Sequence, residues 1–232
     1  MNSNNAFAVT DFAFIGRTFD EYCQMFDLEL DSIEGETILD CPSGADSFVA
    51  TAYESGASIT GVDMMYSQPP TELQQRCQED YEAVAAQLAE KSDLFKWEFY
   101  GDIEGRTKLL KKAYETFISD YTEGRKQGRY LYGELPTLPF APNSFSLVLS
   151  AHFLFLYGDR LDYEFHLATL RELIRVATEQ VRIFPLVGLD TERYPRLDDL
   201  LRELTEDGHQ VAVENVPFEF QQGADEMLVI TV

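Results

Sequence analysis

Two hydrophobic periods alternate along this chain. Thr37-Ile-Leu-Asp40 is a short apolar run that ends on an acid, turns through Ser43-Gly44, and enters a helical stretch near Ser47. Ile59-Thr-Gly-Val-Asp63 repeats the form, closing on Asp63 about 20 residues after that turn. More than sixty residues then pass before a third strand at Arg129–Tyr132, far more than one crossover helix needs. Within them, Leu73, Cys77, Tyr81, Val84 and Leu88 mark a helix over Thr71–Ser92, after Pro69-Pro70. Leu109, Leu110, Ala113, Phe117 and Ile118 mark a second helix over Lys108–Thr122. Between the two lies the most aromatic patch of the chain, Leu94-Phe-Lys-Trp-Glu-Phe-Tyr-Gly101.

Downstream, the pattern predicts a fourth strand at Phe145–Ser150, a helix over Tyr163–Thr178, a fifth strand at Val181–Pro185 and a helix over Pro195–Glu206. Gln210–Val216 and Glu226–Val232 alternate as two final strands, with a turn at Gln222-Gly-Ala224. Ahead of the first strand, Asp20–Leu28 has helical spacing. Seven strands interleaved with helices and closed by a hairpin predict an α/β fold built on a mixed sheet. One domain over 1–232 is expected, with 1–35 as an N-terminal lid or helix and 67–128 as a helical insertion after strand 2.

Charge changes the picture of partners. Against 41 acids stand 18 bases, a net charge of −23, and only six of the bases are lysines. Such a surface repels phosphate backbones, so nucleic acid is not expected as a partner. The field of the whole protein points to a small neutral or cationic ligand. The acids are spread along the chain as a solvated surface, either that of a halophilic host or that of an ordinary acidic cytosolic protein. No apolar run reaches the roughly 18 residues of a membrane span, and Met1-Asn-Ser-Asn-Asn has no signal-peptide form. A cytoplasmic monomer or homodimer is expected. Cys23, Cys41 and Cys77 have neither disulfide nor zinc spacing, and no metal site is expected.

The strand–turn–helix–strand–acid layout places a nucleotide-like ligand at the carboxyl edge of an open α/β sheet. An acid closing the second strand can accept hydrogen bonds from both hydroxyls of a ribose. The glycine spacing does not fit the dinucleotide fingerprint. Four segments in order carry a resemblance to a known family. Asp40-Cys-Pro-Ser-Gly44 resembles the Asp-x-Gly-x-Gly turn of class I S-adenosylmethionine-dependent methyltransferases, and Asp63 resembles their ribose-binding acid. Gly133-Glu-Leu-Pro-Thr-Leu-Pro-Phe140 resembles their Gly-Asp-x-x-x-Leu-Pro-Phe segment, and Ser144–His152 resembles their fourth strand. Pro42 and Asp46 replace two glycines of the turn, and Ser146 replaces an acid of the fourth strand.

The resemblance implies a Rossmann-like seven-stranded methyltransferase fold with a C-terminal antiparallel hairpin. It implies S-adenosylmethionine as cofactor, S-adenosylhomocysteine as product and a small-molecule acceptor. It places Asp40, Cys41, Pro42, Ser43, Gly44, Asp63, Met64, Glu134, Leu135 and Ala151 at the cofactor. His152 is the candidate general base, or else packs under the aromatic run Phe153–Tyr157. Trp97 and Tyr157, with Phe99 and Tyr100, either roof the acceptor or form the core of the insertion. Arg17 and Tyr22 are candidate acceptor contacts from the N-terminal lid. Arg17 would meet an acidic acceptor or make a surface ion pair. The altered turn leaves a second reading open: a methyltransferase-like binding or regulatory protein that has lost catalysis.

Overall fold

The structure, a computed structural model, describes residues 12–232. The part of the expected lid before Phe12 lies outside the described residues. Seven strands form one sheet: β1 (Thr37–Asp40), β2 (Ser58–Asp63), β3 (Tyr130–Tyr132), β4 (Phe145–Ala151), β5 (Ala177–Phe184), β6 (Gln210–Asn215) and β7 (Glu226–Thr231). Their order is β3-β2-β1-β4-β5-β7-β6. β1 pairs in parallel with both β2 and β4, whereas β7 runs antiparallel between β5 and β6. The chain therefore works outward from β1 and then returns to lie against it at β4. That reversal opens a crevice above the carboxyl ends of the two strands. This is the methyltransferase order of a Rossmann-like mixed sheet.

Both faces of the sheet are covered, which is why its central strands are apolar without alternation. Ile38, Ile59, Leu147 and Leu149 face one core, under α1 (Phe19–Met25), α3 (Phe48–Glu54), α4 (Pro70–Glu90) and α5 (Ile103–Lys126). Leu39, Val62 and Val148 face the other, under α6 (Tyr163–Val176) and α7 (Leu197–Glu206). A short α2 (Leu30–Ile33) precedes β1.

Among the boundaries that depart from the sequence reading, three bear on the site. α5 starts at Ile103, because Asp102 accepts the Gly105 amide at 2.7 Å and caps the helix one turn earlier. α6 stops at Val176, and β5 begins at the next residue. Ala177 is already extended and paired with Phe145, although Ala-Thr-Glu-Gln is compatible with a helix. The final hairpin turns at Gly223, as expected, but inside a longer loop. That loop carries Val216, Phe218 and Phe220 inward and docks on the aromatic segment: Lys96 N donates to Phe220 O, and Gln222 N donates to Leu94 O at 3.0 Å.

Candidate functional site

At the carboxyl edge, Cys41 N extends the β1 ladder to Leu149 O at 2.9 Å, and Ser43 N bonds Val62 O at 2.9 Å. The turn is thus clamped between β4 and β2. Gly44 takes a left-handed φ of 62°, which glycine adopts without strain. Its amide donates to Asp63 Oδ2 at 3.0 Å, while Asp63 Oδ1 accepts from Met65 N at 2.8 Å. Asp63 therefore holds the turn against the end of β2. Burial lifts its pKa to about 6 despite these two bonds. Tyr66, buried among Phe117, Tyr121 and Tyr130, donates to Gly44 O at 2.7 Å.

Asp40 sits beneath the turn and is fully buried. The Tyr22 hydroxyl lies 3.2 Å from both Asp40 oxygens and 3.0 Å from Asp46 Oδ2. Asp46 also takes the Phe48 amide at 2.8 Å and the Ser43 hydroxyl at 3.3 Å. Among the described residues no cation pairs with this buried duo. Burial raises both carboxyls, and the Asp46 charge pushes Asp40 further up. The carboxylate standing where a glycine was expected is thus folded back into the turn. Burial likewise keeps the Cys41 thiol protonated.

A segment from Phe12 to Thr18 straps over this edge. Ala13 N donates to the Tyr157 hydroxyl at 3.0 Å, Phe14 N to Asp80 at 2.7 Å, and Arg76 to Phe12 O at 3.0 Å. Gly16 lies so close to the turn that an added Cβ would stand 2.1 Å from Ala45 O. Thr18 and Glu21 form a capping box that starts α1.

Strap, turn, insertion and hairpin loop enclose a cavity of about 530 Å³. Of the residues expected at a site, Cys41, Pro42, Ser43, Gly44, Asp63, Met64, Glu134, Leu135, Ala151, His152, Arg17, Tyr22 and Tyr157 line it. Asp40 does not, being the support below. Tyr22 lines it from underneath, its hydroxyl committed to the two aspartates. Trp97 is outside the lining: its ring packs edge-on to Phe220, 5.3 Å between centroids, because the hairpin loop covers it. Phe95, Phe218, Phe220 and Gln221 occupy that wall instead. Glu134 accepts a hydrogen bond from the Tyr132 hydroxyl. Ser146, away from the site, bonds Thr37 N at 2.9 Å and ties β4 to β1.

His152 follows β4 in a left-handed conformation, φ 50°, with its amide on Phe184 O at 2.7 Å. Its Nδ1 is enclosed without a partner. Burial, and then the charges of Arg17 and Arg106, hold the imidazole well below its usual range, so it is neutral at physiological pH. His166, by contrast, is a core residue, stacked on Tyr194 with Nδ1 2.7 Å from Asp162 O.

No family model matches the chain. It is 34% identical over 221 residues to the uncharacterized protein MJ0045 of Methanocaldococcus jannaschii, covering 95% of this chain and 96% of that protein. The chain belongs to the family of that protein. The MJ0045 family thus spans nearly all of the strap, sheet and insertion described above. Among solved structures, the chain is similar to a SAM-dependent methyltransferase from Aquifex aeolicus, with 15% identity, 91% of each chain covered and a TM-score of 0.41. It is also similar to magnesium protoporphyrin IX methyltransferase from Synechocystis PCC 6803 with bound SAM, with 12% identity, 92% and 90% coverage and a TM-score of 0.46. These likenesses are of chain path, and the fold rests on the strand order itself.

Proposed function

We propose that this member of the MJ0045 family transfers a methyl group from S-adenosylmethionine to a small-molecule acceptor. The observation that carries the reading is the Gly44–Asp63 junction at the β1/β4 reversal, opening on a cavity large enough for a nucleoside and a second small molecule. The donor set fits the cofactor. Asp63 keeps lone pairs for ribose hydroxyls beyond its two amide bonds. Met64 and Leu135 offer apolar faces for the adenine, with Glu134 beside it, and Cys41 to Gly44 pass the methionine portion.

When bound, S-adenosylmethionine supplies a methyl carbon on a sulfonium, already activated for in-line displacement. The chain's own contribution is to hold the acceptor close, aligned and dry under the strap. Where the acceptor must lose a proton, neutral His152 at the end of β4 takes it. The acidic floor of Asp46 and Asp63 favours the positively charged cofactor.

One observation favours a second reading. Asp46 borders the cavity in place of a turn glycine, and its charge beside the methionine carboxylate would hold the cofactor out of productive alignment, which makes the chain a cofactor-binding protein without turnover. Methyl-labelled S-adenosylmethionine, incubated with the protein and a panel of small acids, amines and phenols, separates the two. Labelled product and stoichiometric S-adenosylhomocysteine support transfer. Saturable cofactor binding with no product over the panel supports the second reading.

A further inference from the structure

Arg106 stands in an unusual place for a cation. It lies on the inward stripe of α5, in line with Leu110, Ala113 and Phe117, and only 4% of its surface is exposed. Its guanidinium lies 4.9 Å from the centroid of the Phe220 ring and 5.8 Å from that of Tyr100. Its Nε is enclosed with no hydrogen-bond partner, and among the described residues no carboxylate forms an ion pair with it. The other arginines at this end are answered. Arg76 holds Asp80 at 2.7 Å, and Arg17 Nε lies 3.6 Å from Glu21, which also receives the Tyr100 hydroxyl. Glu21 also attracts Arg106 without touching it, so two arginines and one carboxylate leave one excess positive charge on the cavity wall.

A buried cation without a partner is destabilising, and aromatic faces offset only part of that cost. The cost is met when a ligand brings the opposite charge. The cavity is thus polarised, with Asp46 and Asp63 at the turn and Arg106 at the wall built by the insertion and the hairpin loop. We propose that Arg106 binds a carboxylate of the acceptor, which is a small monoanionic acid with an apolar or aromatic body. One guanidinium fork matches one carboxylate, while a phosphate dianion would leave a charge unpaired in a dry site. Phe153, Phe165, Phe218 and Phe220 suit the apolar body. The wall thus reverses, locally, the preference for a neutral or cationic ligand set by the protein's net charge.

The inference rests on the methyl-transfer reading for the word acceptor, and its test separates the two. Benzoate and its neutral isostere benzamide are titrated calorimetrically into the protein saturated with S-adenosylhomocysteine, and into the protein alone. The expected result is saturable benzoate binding at least about tenfold tighter than benzamide. Arg106→Met should weaken benzoate by roughly 30-fold, the loss for removing one partner of a buried charge pair, and Arg106→Lys should restore part of it. The affinity for S-adenosylhomocysteine should not change in either variant. Equal binding of acid and amide, no binding of either, or benzoate binding untouched by Arg106→Met would overturn the proposal. An Arg106→Met variant that loses S-adenosylhomocysteine instead assigns the arginine to the cofactor's own carboxylate and also overturns it. Failure of S-adenosylhomocysteine to bind folded wild-type protein counts against methyl transfer alone, and the titrations without it still decide the role of Arg106. Circular dichroism checks that each variant is folded.

Discussion

The Gly44 amide donates to Asp63 Oδ2 at 3.0 Å, so the acid that ends β2 also sets the shape of the turn that follows β1. On the proposed reading, one carboxylate therefore serves both the ligand and the scaffold. Its pKa of about 6 makes this relationship pH-dependent. Ribose hydroxyls donate best to an ionised carboxylate, which is lost as pH falls through 6. Affinity for S-adenosylhomocysteine should be flat from pH 7 to 8 and weaken progressively below 6. Titrations across that range check this against Asp63→Asn, whose affinity should be low and free of that step.

Asp46 makes a prediction about the fold itself. Its folded pKa, about 6, is raised above the ordinary carboxylate value of roughly 3.9 in the unfolded chain. The native state therefore binds more protons between these values, and stability falls as pH rises from about 4 to about 6. Asp46→Asn keeps an oxygen for the Phe48 amide and removes the buried charge. Urea unfolding should show the variant gaining on wild type by about 1–3 kcal/mol between pH 4.5 and pH 7. A constant difference across that range would contradict the placement of the carboxylate.

Gly16 is the point where the strap touches the turn. An added Cβ would meet Ala45 O at 2.1 Å, a backbone atom with no freedom to swing away. Gly16→Ala should cost about 1–3 kcal/mol and weaken S-adenosylhomocysteine binding, because the turn and the strap are pushed apart. Thermal unfolding and calorimetry on the same sample measure the two effects together.

The parts of this arrangement that were legible in the sequence are those set by local pattern. Apolar runs ending at Asp40 and Asp63, with glycine between, marked β1, β2 and the edge at which the cavity opens. Alternation in Gln210–Val216 and Glu226–Val232 marked the antiparallel pair. What escaped depends on contacts between distant segments. Trp97 read as either a roof over the acceptor or part of the insertion's core, and the choice rests on the hairpin loop, more than 110 residues later, which covers it with Phe220. Asp46 read as an intrusion in the turn, and only Tyr22 and Ser43 show how its charge is turned inward. Arg106 left a signal that was available: it continues the 110–113–117 stripe one turn upstream. Placing the helix start at Lys108 instead of at the Asp102 cap hid it.

The central claim is that Asp63 and the Gly44 turn form a nucleoside-binding site at the β1/β4 reversal. Calorimetric titration of S-adenosylmethionine and S-adenosylhomocysteine, in low and in molar potassium chloride, tests it most directly. The account predicts saturable one-to-one binding of both, weakened by about 2 kcal/mol or more in folded Asp63→Ala, the cost of losing hydrogen bonds to a charged acceptor. No binding of either compound to folded wild-type protein, or equal binding by the Asp63→Ala variant, would contradict it.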